Sequence, residues 1–191
     1  TVTGLTNGTP YYFKVKAINT SNQTGEYSSQ VAATPVYQGP GWYVAVADSS
    51  GSASNEGSKT SPMLNLSDAV SASSTGDTIY IGAGTHQYTS ASNWNIPFDG
   101  SKTLVIKGAG RDATILDAQQ KHRHFYFSAN SNNSLLDTTF KIMDLTLKNG
   151  RPQTNDNGGS VSMHGYQTSG QSYQGHSPLF QNVLFQSNQP K

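Results

Sequence analysis

Four groups of residues in the 191-residue sequence have types and spacings that suit chemistry. Asp144, Thr146 and Lys148 alternate with Leu145 and Leu147, so on a strand the polar three leave by one face, with Arg151 and Asp156 in the loop beyond. That arrangement sets carboxylates beside cationic side chains on an outward surface; its plain alternative is a solvated face. Tyr166 and Tyr173 lie in a long polar loop, Gly165 to Ser177; exposed rings can stack on sugars, and the plain alternative is loop decoration. His122 and His124 also alternate and are expected to share a face. Two imidazoles begin a zinc site, but no third ligand has suitable spacing, so a solvent-facing or hydrogen-bonded pair is expected. His86, His164 and His176 stand alone in the sequence and are read the same way. Gly108-Ala109-Gly110-Arg111-Asp112-Ala113 spells Gly-x-Gly-x-x-Ala. A dinucleotide site needs a helix next, to hold the pyrophosphate. Thr114-Ile115-Leu116 is β-like instead, so this segment is expected to be a tight turn.

Composition narrows the classes. Twelve Lys and Arg against 11 Asp and Glu give a net charge of +1, without the clustered cations of a nucleic-acid groove. No apolar run approaches the roughly 20 residues of a membrane helix. There is no Cys, which excludes disulfides, thiolate nucleophiles and Cys-ligated metals. Gly, Ser, Thr, Asn and Gln fill much of the rest, which leaves the compartment open but suits a β architecture rich in turns.

The elements that must position these residues come in two blocks. In residues 1–35, Tyr11, Phe13, Val15 and Ala17 alternate with polar neighbours as one strand, and a second runs from Ser28 to Thr34, with a turn from Asn19 to Glu26 between them. Two strands cannot hold a core alone, so further strands upstream are expected. Residues 36–41, Val-Tyr-Gln-Gly-Pro-Gly, read as a linker. Beyond it comes an apolar strand from Trp42, then one helix: Asn65 as N-cap with Asp68 three residues on, Leu66, Ala69 and Val70 on one face, and Gly76 as the stop. Short β segments follow at Thr78–Ile81, Thr103–Lys107, Ala113–Leu116, His124–Phe127, Phe140–Leu147, Ser160–Met163 and Leu179–Phe185. Ile81-Gly82-Ala83-Gly84 recurs as Lys107-Gly108-Ala109-Gly110, and Asp144-Leu145-Thr146-Leu147 is echoed by Asn182-Val183-Leu184-Phe185. A strand every roughly 20 to 25 residues predicts a solenoid of stacked parallel strands, with the helix plugging its first coil. The chain is expected to be cut at both ends.

Two family resemblances follow from these segments. Leu5, Thr9 and Tyr11, with Phe13, Val15, Ala17 and Val31-Ala32-Ala33-Thr34-Pro35, resemble the last part of a fibronectin type III module, with Tyr11 as the tyrosine corner. Trp42-Tyr43-Val44-Ala45, Asp68-Ala69-Val70, Gly76-Asp77-Thr78-Ile79-Tyr80-Ile81-Gly82-Ala83-Gly84, Leu104-Val105-Ile106-Lys107-Gly108-Ala109-Gly110 and Leu145-Thr146-Leu147-Lys148-Asn149-Gly150 resemble the pectate-lyase-like superfamily. The resemblance implies an all-β fold: a right-handed parallel β-helix over 42–191, with an N-terminal cap helix and first coils, preceded by a partial fibronectin type III β-sandwich. It implies a monomer in a secreted or cell-surface bacterial protein that binds or processes polysaccharide or cell-surface glycan; the alternative is a non-catalytic adhesin or structural protein. If the protein is a lyase, the superfamily implies Ca²⁺-binding acids and a Lys or Arg base on an outer face, for which Asp144 and Asp156 are the candidate metal ligands and Asp144, Lys148 and Arg151 the candidate catalytic residues; Tyr166 and Tyr173 are the candidate substrate-binding residues from their ring chemistry. Active coils in such enzymes often lie further along the chain.

Overall fold

Strands form where β-branched and aromatic residues alternate with polar ones, and single left-handed residues or glycines turn them. The computed structural model describes residues 2–88, 90–129, 135–153, 158–166 and 174–189. The chain is β-rich, with one short α-helix among the described residues, and divides into two compact units, Thr1–Gln38 and Gly39–Lys191.

The first unit holds β1 (Tyr11–Phe13), β2 (Lys16–Ile18), β3 (Thr24–Tyr27) and β4 (Val31–Ala33). β1 pairs antiparallel with β4, and β2 with β3. The single strand expected from Tyr11 to Ala17 is therefore broken, and β3 occupies residues expected in a turn. The cause is local. The Asn19 side chain accepts the Ser21 and Gln23 N–H groups, which tightens the turn and frees Thr24–Tyr27 to pair. The Tyr11 hydroxyl accepts the Thr6 N–H at 2.9 Å. Tyr12, Val15, Ile18, Tyr27 and Val31 are each at least 60% exposed, so this unit buries little of its apolar surface.

The second unit holds β5 (Gly41–Val44), α1 (Leu66–Ala72), β6 (Thr78–Ile81), β7 (Gly84–His86), β8 (Ile96–Phe98), β9 (Val105–Gly108), β10 (Thr114–Asp117), β11 (Phe125–Ser128), β12 (Lys141–Lys148), β13 (Val161–His164) and β14 (Leu179–Gln186). Every pairing between these strands is parallel. They form three walls. The first runs β5, β6, β9, then the first halves of β12 and β14. The second runs β7, β10, then the second halves of β12 and β14. The third runs β8, β11, β13. From β6 onward the chain visits first, second and third wall in turn, then begins again. Inward residues repeat in register: Trp42, Ile79, Ile106 and Ile142 lie opposite one another, and each is at most 5% exposed.

α1 is too short to persist alone. It is held by burying Leu66, Ala69 and Val70 and by packing on β5 and β6. Its start departs from the expected cap: the Asn65 side chain donates to the Asp68 carboxylate and accepts from Asn93, rather than bonding a backbone N–H. Its end comes before Ser73, not at Gly76, because the Ser73 hydroxyl and the Lys102 ammonium both take the Val70 carbonyl.

In the second unit the strands found lie within a residue or two of those expected, except that β7 and β8 are additional. The Gly-Ala-Gly echo is also one residue out of step with the pairing, since Ile81 lies opposite Gly108. Gly108 is needed for contact with the next level: a Cβ there would meet the Asp144 carbonyl oxygen at 2.2 Å. Gly108→Ala is expected to destabilise by about 1–3 kcal/mol through overpacking. Gly175→Ala, with nothing within 4 Å, should be neutral. Urea denaturation of the two variants checks this.

Candidate functional site

β12 does not present Asp144, Thr146 and Lys148 on one open face. Asp144 sits at φ 56°, in the left-handed region, and bends the strand from the first wall to the second. Asp tolerates that region better than most residues. One carboxylate oxygen accepts the Asn182 amide at 2.9 Å, and Asn182 makes the same bend at φ 51° one level on. Thr146 is only 3% exposed, because its hydroxyl donates to the Arg111 carbonyl in the loop that covers it. Lys148 is half-buried and lies in register with Asp117 and Gln186. Arg151 is exposed, and its N–H donates to the His122 carbonyl. Tyr166 is half-buried, and its backbone pairs with Gln174 in both directions. Tyr173 and Asp156 lie outside the described residues.

The carboxylate that the fold engages most fully is Asp117, which the sequence reading did not single out. It accepts Gln87 Nε2 at 2.9 Å, Asn149 Nδ2 at 2.8 Å and the Gln119 N–H at 3.0 Å. Burial is the largest single influence and opposes ionisation. The hydrogen bonds from Asn149, Gln119 and Gln87, with the Lys148 charge, outweigh it together and hold Asp117 below the usual carboxylate range. Gln87, Asp117 and Asn149 thus form a polar row across three levels of the second wall. It leaves Asp117 with little capacity for a ligand.

His122 and His124 are both hydrogen-bonded, as expected, but they do not share a face. The His124 ring is fully buried, with Trp94 edge-on at 5.2 Å between centroids, while His122 stays half-buried outside. His124 Nε2 meets the Leu116 carbonyl at 2.8 Å and Nδ1 the Ser160 hydroxyl at 2.9 Å. A carbonyl only accepts, so Nε2 carries the proton and Nδ1 accepts from Ser160. Burial disfavours the cation and lowers the pKa to about 4. This imidazole joins two levels and is closed to a metal.

Calcium takes six to eight oxygens. Asp144 supplies a carboxylate already bonded to an amide, and no group of three or more acids or histidines able to hold a metal occurs among the described residues. Asp156, the other acid expected at the ion, lies outside the described residues. Gly108-Ala109-Gly110 joins β9 to β10 with no helix after it, as the tight-turn reading expects.

The most open chemistry lies on the outer face of the first wall. Tyr43, Tyr80 and Lys107 are successive register partners there. The two rings stack at 5.1 Å between centroids and 19° between planes. They border a cleft of about 470 Å³, which also takes in Lys59 and Pro62 from the loop before α1. Compared with protein-family models, with curated proteins and with solved structures, the chain matches none of them.

Two outcomes follow. Asp144→Ala is expected to cost about 1–2 kcal/mol, the strain of the left-handed bend, while Asp144→Asn stays near neutral; equilibrium denaturation measures both. For His124, the unfolded ring gains its proton below pH ~6.5, whereas the folded ring stays neutral down to about 4. The unfolded chain binds more protons in that window. Stability is therefore complete above pH ~6.5 and is lost as pH falls towards 4, by on the order of 3 kcal/mol. His124→Gln can donate to Leu116 and accept from Ser160 without titrating. Its melting temperature should fall less steeply over that interval than that of wild type.

Proposed function

We propose that residues 42–191 are coils of a right-handed parallel β-helix, and that residues 1–35 are closing strands of a fibronectin type III module. On this reading the protein is a secreted or cell-surface bacterial protein whose β-helix engages polysaccharide. The observation that carries the reading is the chain's repeated return to three parallel walls with inward residues in register. Parallel crossovers are right-handed in nearly all proteins, which supplies the hand. The Tyr11 hydroxyl on the Thr6 N–H supports the fibronectin assignment, since a tyrosine corner makes a bond of this type. The helix on β5 and β6 supports a capped first coil.

A solenoid offers a long surface of repeating spacing, which suits an extended polymer better than a single compact ligand. The exposed ring of Tyr80 beside lysines on that surface favours sugar rings. Binding without turnover is the reading favoured within these coils. The Asp144 carboxylate is engaged by Asn182, and the described residues hold no cluster of acids for metal-assisted proton removal. A lyase reading requires a site that these residues do not assemble.

The test uses the 191-residue chain. It is passed over immobilised neutral and acidic polysaccharides, and incubated with each while ultraviolet absorbance reports unsaturated product. Retention on at least one glycan without absorbance growth is expected. Absorbance growth would restore the lyase reading, and passage through every column unretained would end the glycan reading.

A further inference from the structure

The first wall's outer face carries a feature that Asp144 on β12 does not share. Tyr43 and Tyr80 stack, Tyr80 is 39% exposed, and Lys107 continues the row one level on. Lys59 reaches the same cleft from the loop between β5 and α1. Both lysines are exposed, and neither ammonium has a hydrogen-bond or ion-pair partner among the described residues. The described lining holds no carboxylate and no histidine. Its remaining wall is small: Ser49, Ser50 and the backbone at Gly82 and Gly108. Stacking alone accounts for a cross-strand tyrosine pair. It does not account for two lysines without a partner among the described residues beside one cleft whose described lining holds no acid.

We propose that this cleft is a calcium-independent binding site for an acidic saccharide, with a sugar ring on Tyr80 and its carboxylate or sulfate between Lys59 and Lys107. The proposal rests on the glycan reading above and names the class of glycan and the place. An aromatic face takes the apolar side of a pyranose, and the ring hydroxyls stay in water. An ammonium pairs with either anion as a point charge, so it does not choose between carboxylate and sulfate by geometry. A calcium bridge between protein and sugar acids needs protein carboxylates. The lining has none, so the charge is read directly. The cleft of about 470 Å³ holds one to two sugar rings, and its outward opening leaves room for a longer chain to continue.

The experiment is calorimetric titration with three probes: a glucuronate oligosaccharide, dextran sulfate and unmodified dextran. Each is run in EDTA and in calcium. Wild type is expected to bind the two acidic probes about tenfold or more tightly than dextran, with weakening at higher salt and no change in EDTA. The Lys59→Gln/Lys107→Gln variant should lose about tenfold for the acidic probes, keep its affinity for dextran and keep the wild-type melting temperature. Tyr80→Ala should weaken all three probes. Unequal response of glucuronate and sulfate to the double substitution identifies the anion preferred. Equal acidic affinity in wild type and the double-Gln variant, or loss of binding in EDTA, overturns the site. Equal affinity for all three probes overturns the acidic preference and leaves the glycan reading standing. No binding of any probe removes both.

Discussion

Parallel backbone pairing in register is the constraint on which the second unit depends. It sets each inward residue on its counterpart in the next level, about 4.8 Å away. Trp42, Ile79, Ile106 and Ile142 therefore meet apolar on apolar, as do Ile96 and Phe125, and Phe98 and Phe127. Each such side chain contributes on the order of 1.5–3 kcal/mol when fully buried. A one-residue slip would turn the whole set outward, so the register is strongly specified.

Polar residues follow the same rule where they enter the stack. Asp144 and Asn182 share a bend and a hydrogen bond. Gln87, Asp117 and Asn149 form a row in which each amide donates to the carboxylate at its centre. His124 spans Leu116 and Ser160 with both ring nitrogens used. These groups have chemistry in isolation, yet the fold spends it on joining levels. On the outer face of the first wall, Tyr80, Lys59 and Lys107 are left open to solvent.

How much could be read from the sequence depended on side-chain type. Thr78–Ile81 and the Val105–Gly108 strand were legible because β-branched residues alternate in burial with exposed Tyr80 and Lys107. β7 was not, since Gly84-Thr85-His86 has no β-forming core residue. β8 carries Pro97 at its centre, which argues against a strand. It is tolerated because β8 is the first strand of its wall and pairs on one side only. The face expected of Asp144, Thr146 and Lys148 assumed an unbroken period of two, and the left-handed Asp144 breaks it. The tyrosine–lysine cleft was hidden for a different reason. Tyr43, Lys59, Tyr80 and Lys107 are far apart in the chain; pairing of three strands gathers Tyr43, Tyr80 and Lys107, and the loop before α1 brings Lys59 to them.

The wall-forming hydrogen bonds of the second unit run from one level to the next, along the direction of stacking. Tension applied along that direction would bear on the outermost level first, because each level is bonded only to its immediate neighbours. The unit would then yield by peeling, one turn of chain after another, and release its length in steps instead of in a single rupture. Side-chain ties such as Gln87–Asp117–Asn149 and Leu116–His124–Ser160 lie across those steps and would set their heights.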